Sequence, residues 1–334
     1  MPFNQLKRRE FIRLLGGAAA WPFAARAQQG ERVRHIGVLA SGPTEQDPMV
    51  QASLAAFRQG LEKLGWMEHR NVRIDYRFAQ ASAERGQGLA KELVALQPDV
   101  ILAQTSPITA ALQRESRAIP VIFLEVSDPI NSGFVASLAR PGGNLTGLLL
   151  YEEGITGKWL AMLKEIAPHL ARAALLANPK TTAYDYFLRT AASVVPSLAI
   201  ELVPSPVASA ADIELTIESF ARMPNGGMVV PPDSTTFFHR DLIIRLGAQH
   251  RLPSVHSARH WVEAGALMSY GIDRVDAFRQ AASFVDRVLR GSNPGDLPVQ
   301  TPTKYETVLN LKTAKAFGLN VPPGLLVAAD EVIE

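Results

Sequence analysis

The chain contains no cysteine. That excludes disulfides, a thiolate nucleophile and any cysteine-built zinc or iron–sulfur site, so stability must come from packing. It also removes the cysteine through which a bacterial lipoprotein is anchored. Long apolar runs are missing too: no stretch approaches the ~20 residues that cross a bilayer, which excludes a polytopic membrane protein. Neither G-x-G-x-x-G nor G-x-x-x-x-G-K-[ST] follows a strand candidate, and Gly86-Gln87-Gly88 falls inside a helix pattern, so no phosphate cradle marks a nucleotide enzyme. No G-x-S-x-G elbow marks a hydrolase. His239, His250, His256 and His260 fall across separate elements rather than at metal-ligand spacing. A binding protein without catalytic residues, metal or cofactor is therefore expected.

What is present is an ordinary globular composition, with 47% hydrophobic and 20% charged residues in 334. At the usual domain size this length makes two domains. Residues 1–27 stand apart. A basic Lys7-Arg8-Arg9 leads into Phe11-Ile12-Arg13-Leu14-Leu15 and a Gly/Ala stretch ending Ala25-Arg26-Ala27, which reads as a signal peptide cleaved before Gln28. Arg8-Arg9-Glu10-Phe11-Ile12-Arg13 resembles the twin-arginine export motif, an address rather than an anchor. The formal net charge of +2 includes Lys7, Arg8, Arg9, Arg13 and Arg26 against Glu10, so the cleaved chain is slightly acidic. That leaves no basic footprint for nucleic acid. A soluble periplasmic monomer is expected.

From residue 33 the pattern alternates short β-branched runs with longer amphipathic stretches, the signature of βαβ units and a parallel sheet. Strands are expected at 34–40, 72–78, 100–104, 121–126 and 145–150, with helices at 51–64 and 83–96 between them. The alternation then restarts: helix 156–166, strand 173–177, helix 183–195, strand 200–203, helix 210–221, strand 228–230, helix 236–250, strands 254–256 and 267–270, and helix 275–289. No fixed-period repeat is visible, so the chain reads as two similar α/β domains rather than a solenoid. The Pro- and Gly-rich turns at 141–144, 291–295 and 322–324 are too short for flexible linkers and suggest a hinge between compact lobes.

In open parallel sheets, ligands bind beyond the carboxyl ends of the strands. The candidates are Ser41-Gly42, Thr105-Ser106 and Ser127-Asp128 in the first half, and Asn178, Asp233-Ser234 and Tyr270 to Asp273 in the second. Thr105-Ser106-Pro107 opens a helix ending near Arg117, whose free N–H groups suit a carboxylate. Asp128 or Asp233 offers a partner for a ligand ammonium, and Tyr184 and Tyr270 offer stacking faces. Each has a structural alternative: helix capping for Ser106 and Asp273, turn formation for Asp128 and Asp233, core packing for the tyrosines.

Three stretches carry a resemblance: Val126-Ser127-Asp128-Pro129; the run from Ser137-Leu138-Ala139-Arg140-Pro141-Gly142-Gly143-Asn144 to Gly147; and the tail from Asn310-Leu311-Lys312-Thr313 through Gly318-Leu319 to Ala328-Ala329-Asp330-Glu331. Together with the opening Arg34-His35-Ile36-Gly37-Val38-Leu39, they resemble the ABC transporter substrate-binding family that includes the TrpX-like tryptophan and phenylalanine binders. The resemblance implies a type I periplasmic-binding fold: two doubly wound parallel-sheet lobes joined by a hinge. Residues 33–148 plus 274–292 would form lobe one and 149–273 plus 296–334 lobe two. It further implies capture of a small amino-acid-like or aromatic carboxylate ligand by hinge closure, and delivery to an ABC permease. Ligand sensing on a membrane receptor and, behind it, a periplasmic hydrolase are the rival readings.

Overall fold

The computed structural model describes residues 32–334 apart from 43, 81 and 153. The expected signal peptide over 1–27, with its cleavage before Gln28, lies outside the described residues.

Strands β1 (Arg34–Ala40), β2 (Val72–Phe78), β3 (Val100–Gln104), β4 (Val121–Val126) and β5 (Leu145–Leu149) form an all-parallel sheet in the order β2-β1-β3-β4-β5. β3 and β4 are buried along their whole length, as helices on both faces of a parallel sheet require. Between the strands run α1 (Pro48–Lys63), α2 (Ala83–Ala95) and α3 (Ser106–Glu115). Asp47 starts α1 by accepting the N–H groups of Met49 and Val50 at 3.0 and 3.1 Å, with Pro48 in the first turn where its missing N–H costs nothing.

The second half runs α4 (Ile155–Ile166), β6 (Arg172–Ala177), α5 (Tyr184–Ala191), α6 (Val195–Leu198), β7 (Glu201–Pro206), α7 (Ala210–Ala221), β8 (Gly226–Val230), α8 (Ser234–Phe238), α9 (Arg240–His250), β9 (Ser254–His256), α10 (Arg259–Glu263) and β10 (Met268–Ile272). After α11 (Arg274–Leu289) come β11 (Tyr305–Asn310), α12 (Leu311–Phe317), α13 (Pro323–Ala328) and β12 (Glu331–Ile333). Their sheet has the order β12-β11-β10-β9-β8-β6-β7, parallel except where β11 runs antiparallel to β10 with Tyr270 opposite Thr307. Its core centres on fully buried Trp159, which meets Tyr151 edge-on at 5.2 Å and donates its indole N–H to the Tyr270 carbonyl at 2.8 Å.

The chain passes between the two halves three times: after β5, after β10, and between α11 and β11. The last passage lies beside β5, where the Leu149 N–H donates to the Gln300 carbonyl at 2.9 Å and the Gln300 N–H to Gly147 at 3.0 Å. Although α11 follows the second sheet's β10, it packs on the first sheet: Phe278, Ala282, Val285 and Leu289 share a cluster with Ile36, Leu54, Phe57 and Leu61. Gly60 permits the close approach of α1 and α11, since a Cβ there would sit 2.7 Å from that of Ala282.

Several elements differ from the sequence expectation. The helix expected at 183–195 stops at Ala191, and a separate turn follows around Pro196, whose ring cannot donate to the preceding turn. The helix expected at 236–250 is two, joined at His239, and the first begins earlier, at Ser234 behind an Asp233 cap. Strands β11 and β12 and helix α10 were not anticipated: each is short, and none carries a distinctive period.

Candidate functional site

A cavity of ≈ 680 Å³ opens between the two sheets at the carboxyl ends of their strands. Of the residues singled out from the sequence, Ser41, Gly42, Thr105, Ser106, Ser127, Asp233, Ser234 and Asp273 line it. Asp128, Asn178, Tyr184 and Tyr270 lie outside its lining, each with its polar group already committed. The Asp128 carboxylate accepts from the Asn131 side chain at 2.9 Å and pairs with Arg189 on α5 at 2.8 Å, an ion pair between the two halves. Asn178 donates to the Thr235 hydroxyl at 2.9 Å and accepts the Lys180 N–H at 2.9 Å, closing its own turn. The Tyr184 hydroxyl donates to the Leu175 carbonyl and accepts from the Ser205 N–H, inside the core. Tyr270 stacks on Tyr305 at 5.4 Å and accepts from Lys158 at 2.6 Å.

On the first-sheet wall a continuous hydrogen-bonded chain fixes the groups. The Ser41 N–H donates to Gln104 Oε1 at 3.2 Å, Gln104 Nε2 donates to Glu125 at 3.1 Å, and Arg274 grips Glu125 through Nε at 2.7 Å and Nη2 at 3.2 Å. Two residues here hold backbone conformations with positive φ, Thr105 at 79° and Glu125 at 56°. For non-glycine residues this costs of order 1–3 kcal/mol each and persists only where surrounding contacts enforce it. Thr105 occupies the capping position of α3 but makes no capping bond, and its buried hydroxyl has no partner among the described residues.

The second-sheet wall is aromatic. Phe237 meets His260 edge-on at 5.0 Å, and His256 stacks on Trp261 at 4.4 Å behind the cavity face. Burial lowers the His256 pKa to about 3, and burial together with Arg274 and Arg240 holds His260 well below the usual imidazole range. Both rings are therefore neutral at pH 7. Asp233 accepts from the Thr181 hydroxyl and from the Thr236 N–H at 2.8 Å, while burial pushes its carboxyl above the ordinary range. Arg259 is surrounded by carboxylates, with Glu263 at 2.8 Å, Glu306 at 3.2 Å and Glu331 at 2.5 Å, and so ties β12 and β11 to the cavity edge.

The family described as ABC transporter substrate binding protein matches residues 39–333. The chain belongs to this family. A tyrosine-binding protein of Clostridioides difficile (strain R20291) is 25% identical over 272 residues, 81% of this chain and 78% of that one. Among solved structures, a conserved domain protein from Vibrio cholerae superposes with a TM-score of 0.83 at 25% identity, covering 90% of this chain and all of the other. An ABC domain from Streptococcus pneumonia in complex with L-Trp gives 0.82 at 24% identity, covering 90% and 99%. The fold is that of type I periplasmic-binding proteins, two parallel-sheet α/β lobes, as the resemblance implied.

Several residues that line the cavity were not singled out as ligand contacts from the sequence. Gln104 and Glu125 lie at the ends of β3 and β4, inside runs that read as buried core. A carboxylate in Val-Ile-Phe-Leu-Glu-Val was the available signal, because a buried charge needs a partner. Arg274, next to the Asp273 cap of α11, carried no such mark. Phe237, His260 and Trp261 fell in stretches whose breaks between α8, α9 and α10 were not foreseen.

Proposed function

We propose that this protein is the substrate-binding component of an ABC importer, exported to the periplasm, where it captures a small amino-acid-like or aromatic carboxylate ligand between its lobes and delivers it to an inner-membrane permease. The observation that carries this reading is the cavity itself, bounded by both sheets and within the roughly 300–1,000 Å³ of small-molecule sites. Its two walls suit different parts of such a ligand. The α3 N-terminus, with Thr105 and Ser106, suits a carboxylate, and Phe237, His260 and Trp261 offer a face for a flat ring. The names of the relatives, a tyrosine-binding protein and an L-Trp complex, support the same ligand class.

Ser41, Gly42, Thr105, Ser106, Ser127, Asp233, Ser234 and Asp273 are the proposed contacts. The lobes that close are 33–148 with 274–292 and 149–273 with 296–334. No bond is made or broken: a ligand touching both walls stabilises the closed state and shifts the population toward it. The protein acts as a monomer without cofactor.

The test is a thermal-shift screen of the exported protein against the amino acids and aromatic acids, followed by calorimetry on any hit. A true ligand at about 100 times its Kd adds about 2.7 kcal/mol of stability. If none of these compounds moves the transition, the ligand class is wrong.

A further inference from the structure

Each crossing between the lobes is held at both ends, and little chain lies between the holds. In the first, the Leu150 N–H donates to the Val126 carbonyl of β4 at 2.9 Å, and the Glu152 N–H donates to the Tyr305 hydroxyl of β11 at 2.9 Å. Tyr151 separates these two anchors, one on each sheet. In the second, Ile272 ends β10 and Arg274 opens α11 with its grip on Glu125, so Asp273 is the link. In the third, Gln300 is paired with Gly147 and Leu149, and Tyr305 already stands opposite Ile272 in the second sheet. Between them run Thr301, Pro302, Thr303 and Lys304.

The second-sheet ends are also tied to one another. The Tyr305 ring stacks on Tyr270 of β10 with planes 11° apart, and Lys158 of α4 lies 4.7 Å over the Tyr270 ring while reaching Glu152 at 3.3 Å. The Asp273 N–H donates to the Lys304 carbonyl at 3.2 Å, and the Lys304 ammonium returns to the Asp273 carboxylate at 2.7 Å. Tyr305 is the junction of the three. Its backbone ends the third crossing, its ring rests on the strand that feeds the second, and its hydroxyl holds the first. A hinge turns at the few residues free to change φ and ψ, and a backbone group bonded to a packed strand is not one of them.

We infer that Tyr305 is the pin of the hinge: through it the three crossings leave the second lobe as one joined unit, and bending is confined to Tyr151, Asp273 and residues 301–303. Tyr305 is a positioning residue. It lies outside the cavity lining and sets the lobe angle rather than the choice of ligand. Tyr151 connects the two, because it lines the cavity and its hydroxyl donates to the Ser257 carbonyl at 3.1 Å. The inference rests on the closure reading above and adds where that closure turns.

The test uses the exported full chain and needs no ligand, so its failure is distinct from that of the proposed ligand class. Because the chain has no cysteine, Lys91→Cys on α2 and Glu218→Cys on α7, both exposed and one on each lobe, take a spin-label pair whose distance distribution reads the lobe angle. Tyr305→Phe keeps the ring stack and removes the hydroxyl. In that variant the Glu152 amide is expected to exchange about 2- to 12-fold faster with solvent, the loss of one hydrogen bond, with the Leu150 amide unchanged and the interlobe distribution wider. Lys304→Ala, which loosens the second crossing from the third, is expected to widen it as well, and Lys304→Arg to restore it.

An unchanged distance distribution in Tyr305→Phe overturns the inference whatever the Glu152 amide does, and so does an unchanged amide. Should that variant fail to fold, Lys304→Ala, on an exposed side chain, decides through the distribution alone. Wider distributions in a protein that binds none of the screened compounds uphold the pin and remove the ligand class.

Discussion

The first-sheet wall of the cavity is a chain of hydrogen bonds that ends in an ion pair, from Ser41 through Gln104 and Glu125 to Arg274, whereas the second-sheet wall sets neutral rings beside Asp233, whose carboxylate meets only neutral donors among the described residues. The former is held rigid: Glu125 and Arg274 cancel each other, and the wall keeps two strained backbone conformations in place at Thr105 and Glu125. On the latter His256 and His260 are neutral, and Asp233 accepts from the Thr181 hydroxyl and the Thr236 N–H with no cation beside it among the described residues. On the proposed function, one wall orients the ligand and the other selects it. The two lobes repeat an architecture without repeating a chemistry.

The largest expected effect comes from breaking the rigid wall. Glu125→Ala leaves Arg274 without its partner, and removing one member of a buried pair costs about 3 kcal/mol or more. Chemical denaturation should show that loss, with Glu125→Gln costing clearly less because it keeps the hydrogen bond from Gln104. Equal losses in both variants would mean that the charge is not what matters.

A smaller effect belongs to the aromatic wall and appears as pH dependence. His256 is neutral in the folded protein, with a pKa of about 3, but titrates near 6.5 when unfolded. Stability is therefore fully present above about pH 6.5 and is lost as pH falls from there toward 3, because the unfolded chain takes up the proton first. Between pH 7 and pH 5 this amounts to about 2 kcal/mol, and His260 acts in the same direction. Replacing His256 with Phe should flatten that slope in urea melts recorded across pH, and an unchanged slope would locate its origin elsewhere.

The smallest effect sharpens the comparison by acting on neither wall. The Arg189–Asp128 pair joins the two halves outside the cavity, with the Arg189 side chain 57% exposed. At up to about 1 kcal/mol for such a pair, Arg189→Ala should weaken apparent affinity by no more than about 5-fold, and by the same factor for every ligand. A change in ligand preference would place Arg189 in recognition after all.

Much of the fold was legible because buried parallel strands announce themselves. The bounds of β1 to β4 agree with the sequence expectation to the residue: β1, β3 and β4 are dense apolar runs between polar turns, and β2, Val-Arg-Ile-Asp-Tyr-Arg-Phe at the sheet edge, alternates apolar with polar residues. β11 was missed because Tyr-Glu-Thr-Val-Leu-Asn is short and half polar and ends in the Asn310 cap of α12. The strand-end rule located the loops around the cavity, but it does not say where a side chain points. Asp128 and Asn178 emerge at strand ends and turn back to bond their own loops, while Tyr184 turns into the core. Glu125 and Arg274 lie far apart in the chain, and only the packed structure brings them together.

The position of α11 in the chain has a consequence for synthesis. The sheet of β1 to β5 is complete once Leu149 has been made, yet the helix that covers one of its faces ends at Leu289. At ~5–20 residues per second, roughly 7–28 s separate the two on the ribosome. Throughout that interval Phe57 and Leu61, later packed against Phe278 and Ala282, belong to an unfinished core. The first lobe reaches its native packing only after nearly the whole second lobe has been made.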